Sequence, residues 1–113
     1  MNAATQAKLW YAQRVSAMVL ALCVVVHIVT ILYAVRSGLT GAEILGRTRG
    51  NFAFAAFYVL FVLSAAIHAP IGLARIAEEW MQWRGRSLNV LLSVFAAFLV
   101  FTGFSAVWGL YAQ

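Results

Sequence analysis

The sequence has 113 residues, of which 65% are hydrophobic and only 10% are charged. An average soluble domain has roughly 45–50% apolar and about 25% charged residues, and so few charged side chains cannot cover the surface of a small soluble fold. The same numbers exclude a disordered chain, which needs low hydrophobicity and high charge, so an integral membrane protein remains.

The net charge of +5 comes from eight Lys and Arg residues that are spread over short segments. They do not form the basic stripe that binds nucleic acid, and they are typical of positions that flank membrane spans. The single cysteine, Cys23, lies inside an apolar run. A disulfide, a zinc cluster or an iron–sulfur cluster built by one chain alone is therefore excluded.

Three apolar runs follow in chain order, at residues 15–35, 52–74 and 88–111, and none contains Asp, Glu, Lys or Arg. Each reaches the roughly 20 residues that cross a bilayer, and in lipid such runs must be helices. We therefore predict an all-α fold, a three-helix transmembrane bundle that forms one domain over residues 1–113. The first run is too long for a signal peptide and no small-x-small cleavage site follows it before Arg36, so we expect it to be retained.

The connecting segments predict further short elements. Residues 2–13 indicate a short interfacial helix, residues 37–51 indicate an ordered turn or interfacial helix, and residues 75–86 begin as a continuation of the second span. The Lys and Arg residues divide five to three between the two sides of the bundle, which predicts a cytoplasmic N-terminus and an outer C-terminus in the cell inner membrane. The larger group is Lys8, Arg14, Arg75, Arg84 and Arg86, and the smaller is Arg36, Arg47 and Arg49.

The two histidines, His27 and His68, both fall within predicted spans. An ionisable residue in lipid marks a functional site by default, and without an intramembrane carboxylate two histidines favour axial ligation of haem iron. Ser64, His68 and Gly72 share one helical stripe, and these small neighbours leave room for a flat macrocycle. The alternatives are a hydrogen bond across a helix interface for each histidine, and close helix packing for the small residues.

Depth argues against one shared haem. At 1.5 Å per residue, His27 lies about 18 Å and His68 about 9 Å from the cytoplasmic surface. Two haems at two depths, each completed by another polypeptide, fit this offset better. Trp10, Arg14 and Ser16 cluster at the cytoplasmic mouth of the first span, where Arg14 either meets a haem propionate or quinone carbonyl or simply anchors the helix.

Two segments of this sequence resemble the membrane-anchor cytochrome b subunits of succinate dehydrogenase and fumarate reductase. Residues 14–17, R-V-S-A, are similar to the family's R-[VI]-S-G, with Ala17 in place of glycine. Residues 68–72, H-A-P-I-G, are similar to its haem-ligand motif H-x-x-x-G, although Arg75 follows the glycine after two residues instead of one. The resemblance implies haem b held by His68, quinone near Arg14 and Ser16, and flavoprotein and iron–sulfur subunits as partners in a respiratory complex II.

His27 resembles the first-helix histidine of larger two-haem anchors, whose partner ligands lie in later helices that this chain lacks. A second membrane anchor, either another copy or a related subunit, would supply them, and a heterodimer is slightly favoured. The resemblance also implies that the chain passes electrons to or from quinone and is not itself catalytic. The alternatives are a cytochrome b subunit of another respiratory oxidoreductase, or a small haem-free transport or assembly protein.

Overall fold

The computed structural model describes residues 2–112, so Met1 and Gln113 of the predicted domain lie outside it. Within this range the regular elements are four helices: α1 (Ala3–Ser37), α2 (Gly41–Thr48), α3 (Phe52–Trp80) and α4 (Arg86–Ala112). Three of them, α1, α3 and α4, are long and apolar enough to cross a membrane, by length and composition. The predicted all-α class with three spans is confirmed, and α2 is the short helix allowed for between the first two.

The first helix is longer than predicted. It begins at Ala3 and not near residue 15, so the separate interfacial helix expected over residues 2–13 is wrong. The reason is local, because residues 3–37 contain neither glycine nor proline and nothing interrupts the backbone hydrogen bonds. Asn2 caps the start by accepting from the Thr5 amide at 2.8 Å, and Gly38 ends the helix with φ at 124°.

The other helices also have identifiable ends. α2 begins in a capping box in which Thr40 and Glu43 each accept from the other's backbone. Asn51 caps α3 through the Phe54 amide at 3.0 Å, and α3 continues through Pro70 as far as Trp80, as the predicted extension required. Gly85, with φ at 106°, makes the turn into α4.

α3 is the central helix of the bundle, because it packs against α1 on one side and against α4 on the other. The molecule measures 49 × 23 × 23 Å, and most large apolar side chains point outward, as a lipid or protein environment requires. The end that carries α2 is tied to the C-terminal turn of α4. Thr48 donates to the Leu110 carbonyl and the Gly50 amide donates to the Tyr111 carbonyl, each at 2.8 Å.

Candidate functional site

The polar residues of the candidate site line the interface between α1 and α3. On α1, the residues that face α3 are alternately three and four positions apart, so their side chains form one stripe along the helix. Their contacts with α3 fix the register: the Gln13 amide nitrogen lies beside Gly72, and His27 contacts Tyr58 and Phe61. The stripe consists of Gln13, Ser16, Leu20, Cys23 and His27.

His68 lies on the α1-facing side of α3, one turn before Gly72. Its Nδ1 atom is buried and has no hydrogen-bond partner. Nε2 is not enclosed in this way, so it is the ring nitrogen left to reach a ligand. Ser64, one turn earlier on the same face of α3, is 6% exposed, so the neighbour of His68 on that side is small and buried.

Gln13 faces the same turn of α3 from α1. Its Oε1 atom is the other buried side-chain oxygen or nitrogen without a hydrogen-bond partner among residues 2–112. The nearest atom to a Cβ built on Gly72 would be Gln13 Nε2, at 3.4 Å. A carboxamide therefore occupies the space that the missing side chain of Gly72 leaves on this side of the helix.

His27 has a different environment, near the end of the same interface that is closer to α2. Its Nδ1 and the Tyr58 hydroxyl share a hydrogen bond of 2.7 Å, and its ring packs edge-on against Tyr58 and Phe61 at centroid distances of 5.6 and 5.5 Å. This is the interhelical hydrogen bond raised above as the alternative to a ligand role. The bond uses one ring nitrogen and leaves Nε2 without a partner, so the two roles are compatible.

A cavity of about 820 Å³ opens beside His27 between α1, α2, α3 and α4. Its lining includes the aromatic side chains of Phe54, Phe57 and Tyr58, and also Arg47 and several polar side chains. Arg47 donates to the Gly38 carbonyl at 2.6 Å, and its guanidinium lies 6.0 Å from the centre of the Tyr33 ring. The cavity is thus mostly apolar and has a cationic side chain in its wall.

The two histidines occupy different levels of the bundle. Because α1 and α3 are antiparallel, His27 is level with residues 58–61 of α3. His68 lies seven residues beyond Phe61, or about 10 Å along the helix axis. Within the described residues no group of three His, Cys, Asp or Glu side chains converges on a point that could hold a metal ion. Each histidine is therefore a single imidazole at its own level, which suits axial ligation of a macrocycle.

The structure brings Trp10 and Arg14 together but separates Ser16 from them. The Arg14 guanidinium lies 5.2 Å from the centre of the Trp10 ring, on the exposed side of α1. Ser16 is 5% exposed on the α3-facing side, and its hydroxyl donates to the Gln13 carbonyl at 3.1 Å. The register that aligns Gln13 with Gly72 aligns Ser16 with the turn that contains His68.

Sequence reasoning missed Tyr58, Gln13 and Arg47. Tyr58 could not be paired with His27 without the register between α1 and α3, because the two residues are 31 positions apart in sequence. Gln13 did leave a signal, because it begins the alternating stripe that continues through Ser16 to His27. Arg47 was counted only for its charge, and its contact with Gly38 depends on the fold of the α1–α2 turn.

A family model described as the succinate dehydrogenase/fumarate reductase transmembrane subunit matches residues 1–104. The chain belongs to this family. It is therefore a multi-pass membrane protein with the anchor role of that subunit. No curated protein and no solved structure matches the chain.

Proposed function

We propose that this chain is the haem b-binding anchor of a succinate dehydrogenase or fumarate reductase complex. It holds the flavoprotein and iron–sulfur subunits at the membrane and passes electrons to or from quinone, while the dicarboxylate chemistry belongs to its partners. Family membership supports the anchor role. The proposal of a haem rests on His68. Its imidazole lies at spanning depth, beside the small side chain of Ser64, and its Nδ1 atom is buried without a hydrogen-bond partner.

The residues around His68 fit a haem. When bound, haem b supplies a one-electron centre inside the bilayer. His68 Nε2 would ligate the iron, and Ser64, one turn away on α3, adds only a small side chain beside it. An imidazole in lipid is costly without a partner, so a ligand that uses Nε2 offsets a cost that the protein alone leaves unmet.

The second axial ligand for the His68 haem comes from another polypeptide. His27 lies about 10 Å away along the axis, so it cannot face the same iron. The partner is a second membrane anchor, a related subunit or another copy, with the haem at the shared interface. Among residues 2–112, small residues along α4 give such a neighbour a close-packing surface, namely Ser93, Ala97, Ser105 and Gly109.

His27 is the proposed ligand of a second haem nearer the outer surface, and one observation favours this. The cavity beside His27 is large and mostly apolar, and Arg47 in its wall can pair with a carboxylate such as a propionate. Ligation of iron through Nε2 of His27 would leave the ring proton on Nδ1, where the Tyr58 hydroxyl can accept it.

Quinone is proposed to bind beside the N-terminal part of α1, at the cytoplasmic surface of the membrane. The membrane is proposed to be the inner membrane of the cell. Arg14 offers a cation and Trp10 an aromatic face, and the cation–π contact between them holds the guanidinium at the headgroup boundary. Ser16 faces inward beside the His68 turn. It therefore lies between the quinone-facing side of α1 and the haem ligand.

The test is the haem content of the intact complex, purified through a tag on this chain. His68→Ala is expected to lose one haem by pyridine haemochrome assay, while the subunit composition stays unchanged. Thr102→Ala is the matched control, because Thr102 is a polar residue of a spanning helix that bonds only to its own backbone, through the Phe98 carbonyl at 2.8 Å. Full haem retention in His68→Ala would refute the proposal, and His27→Ala should remove the second haem independently.

A further inference from the structure

Two unpaired polar atoms lie on facing helices at the end of the α1–α3 interface that is farther from α2. They are Gln13 Oε1 and His68 Nδ1, and no other buried side-chain nitrogen or oxygen in residues 2–112 lacks a hydrogen-bond partner. An unpaired buried polar atom costs free energy, so such atoms are rare and each needs a physical explanation. Because both atoms lie on facing helices, about one turn apart along the axis, one group could satisfy both of them.

The two atoms are complementary. A carboxamide oxygen accepts a hydrogen bond, and Nδ1 of a neutral histidine donates one when Nε2 carries the lone pair. Gln13 is level with Gly72, and His68 is four residues away, or about 6 Å along α3. Two hydrogen bonds of about 2.8 Å through one water molecule span at most about 5.6 Å, so a water bridge needs the flexible Gln13 side chain to cover part of this offset.

Gly72 leaves room for the Gln13 side chain. A Cβ at this position would lie in ordinary van der Waals contact with the Gln13 amide nitrogen, at 3.4 Å, so side chains larger than alanine would displace the carboxamide. The Ser16 hydroxyl donates to the backbone carbonyl of Gln13 and so ties the turn of α1 from which the Gln13 side chain extends.

We propose that Gln13 is a positioning residue for His68: its carboxamide accepts the Nδ1–H proton through one water molecule and so presents Nε2 to the haem iron. This inference rests on the proposed haem ligation by His68. A metal-ligating histidine almost always donates its other N–H to such a partner, which fixes the tautomer and raises the basicity of the ligating nitrogen. Gln13 does not touch the iron and acts only through His68.

The test compares Gln13→Met, which keeps side-chain length and flexibility but removes the acceptor, with Gln13→Glu, which keeps it. Loss of a partner to a ligating histidine typically weakens metal binding about 10–100-fold. A less basic imidazole binds ferric iron less well, and a tenfold loss confined to the ferric form raises a one-electron potential by about 59 mV. We therefore expect Gln13→Met to raise the potential of the His68 haem and to change its low-spin EPR signal.

Gln13→Glu is expected to rescue the haem content and to lower the potential, since a carboxylate is a stronger acceptor. Gln6→Met is the matched control, because it is the same substitution at an exposed position on the same helix. An unchanged potential and EPR signal in Gln13→Met would overturn the proposal. Equal damage from Gln13→Glu and Gln13→Met would also overturn it, because that would indicate packing and not an acceptor.

Two further measurements separate this inference from the proposed function and from a structural role. If His68→Ala loses its haem while Gln13→Met behaves as wild type, only the Gln13 inference fails. If His68→Ala retains its haem, the proposed function fails as well. In the His68→Ala complex, Gln13→Met should not lower the unfolding temperature, because Oε1 has no hydrogen bond to the protein to lose. A clear fall would assign Gln13 a structural role and refute the inference.

Discussion

Gly103 in α4 offers a direct test of the packing between α3 and α4. A Cβ built at this position would lie 2.5 and 2.7 Å from the two methyl carbons of Val62 and 3.2 Å from its Cβ. Real carbon atoms do not approach so closely, so Gly103→Ala forces either the Val62 side chain or one of the helices to move.

Val62 cannot easily move. A valine in a helix has one strongly preferred rotamer, and here both methyl groups lie against the same point. The helices must therefore separate by several tenths of an ångström, and such overpacking typically costs about 1–3 kcal/mol. Opposing this, alanine is more favourable than glycine in a helix by about 1 kcal/mol.

Gly109→Ala measures the helix-propensity term alone. Gly109 lies in the same helix and a Cβ there would meet nothing within 4 Å. We expect Gly109→Ala to be neutral or to stabilise by up to about 1 kcal/mol. Gly103→Ala should be less stable than Gly109→Ala by about 1–3 kcal/mol, the overpacking term, and 1.4 kcal/mol is a tenfold change in the unfolding equilibrium.

The assay is reversible unfolding of the protein in mixed micelles, followed by circular dichroism. The double variant Gly103→Ala/Val62→Ala removes the clashing methyl groups, so a double-mutant cycle should give a favourable coupling energy. Equal stabilities for Gly103→Ala and Gly109→Ala would refute the close approach of α3 and α4 at this point, and so would a coupling energy of zero.

Three other perturbations test separate parts of the molecule. Tyr58→Phe removes the hydroxyl bonded to His27 but keeps the ring packing, so it should cost about 1 kcal/mol in the same unfolding assay; no loss would mean that the hydroxyl does not hold His27. Hydrogen bonds from the Thr40 side chain, and then from its backbone, lower the pKa of Glu43 below its usual 4.5. The capping contribution of Glu43 should therefore be complete at neutral pH and be lost as the pH falls through that lowered pKa. Amide exchange in α2 reports this loss, and Glu43→Gln should abolish the pH dependence. Arg14→Leu should impair electron transfer to quinone or shift the haem potential, and if neither changes, Arg14 is only a topology anchor.

Hydropathy was sufficient to predict the three spans because it acts on whole segments. The second span starts at residue 52 in both the prediction and the structure, since Asn51 caps the helix directly before the apolar run. The start of α1 was missed because its polar first turns have good helix formers but no hydrophobic run. Composition can identify where a chain enters lipid, whereas helix ends depend on caps and on the absence of glycine and proline.

The candidate site could be predicted only within single helices. His68 and its small neighbours lie on one helix, so their shared face follows from 3.6 residues per turn alone. Tyr58, which bonds to His27, and Gln13, which faces the turn of His68, each lie on the opposite helix. Identifying them therefore requires the register between α1 and α3. Sequence periodicity does contain half of that information, since the stripe from Gln13 to His27 marks the buried face of α1. The face of α3 that packs against α1 could not be identified in the same way, because nearly every residue of α3 is apolar.

The two ends of the α1–α3 interface differ in how well their polar groups are satisfied. At the end nearer α2, the His27 Nδ1 atom is paired with the Tyr58 hydroxyl. At the opposite end, the two buried atoms without partners in residues 2–112 lie about one turn apart along the helix axis. A helix pair gains nothing from leaving polar atoms unpaired in lipid, because each one weakens the interface that contains it. The asymmetry is therefore expected if a cofactor completes the end that contains His68, whereas at the other end the chain itself already pairs Nδ1 of His27.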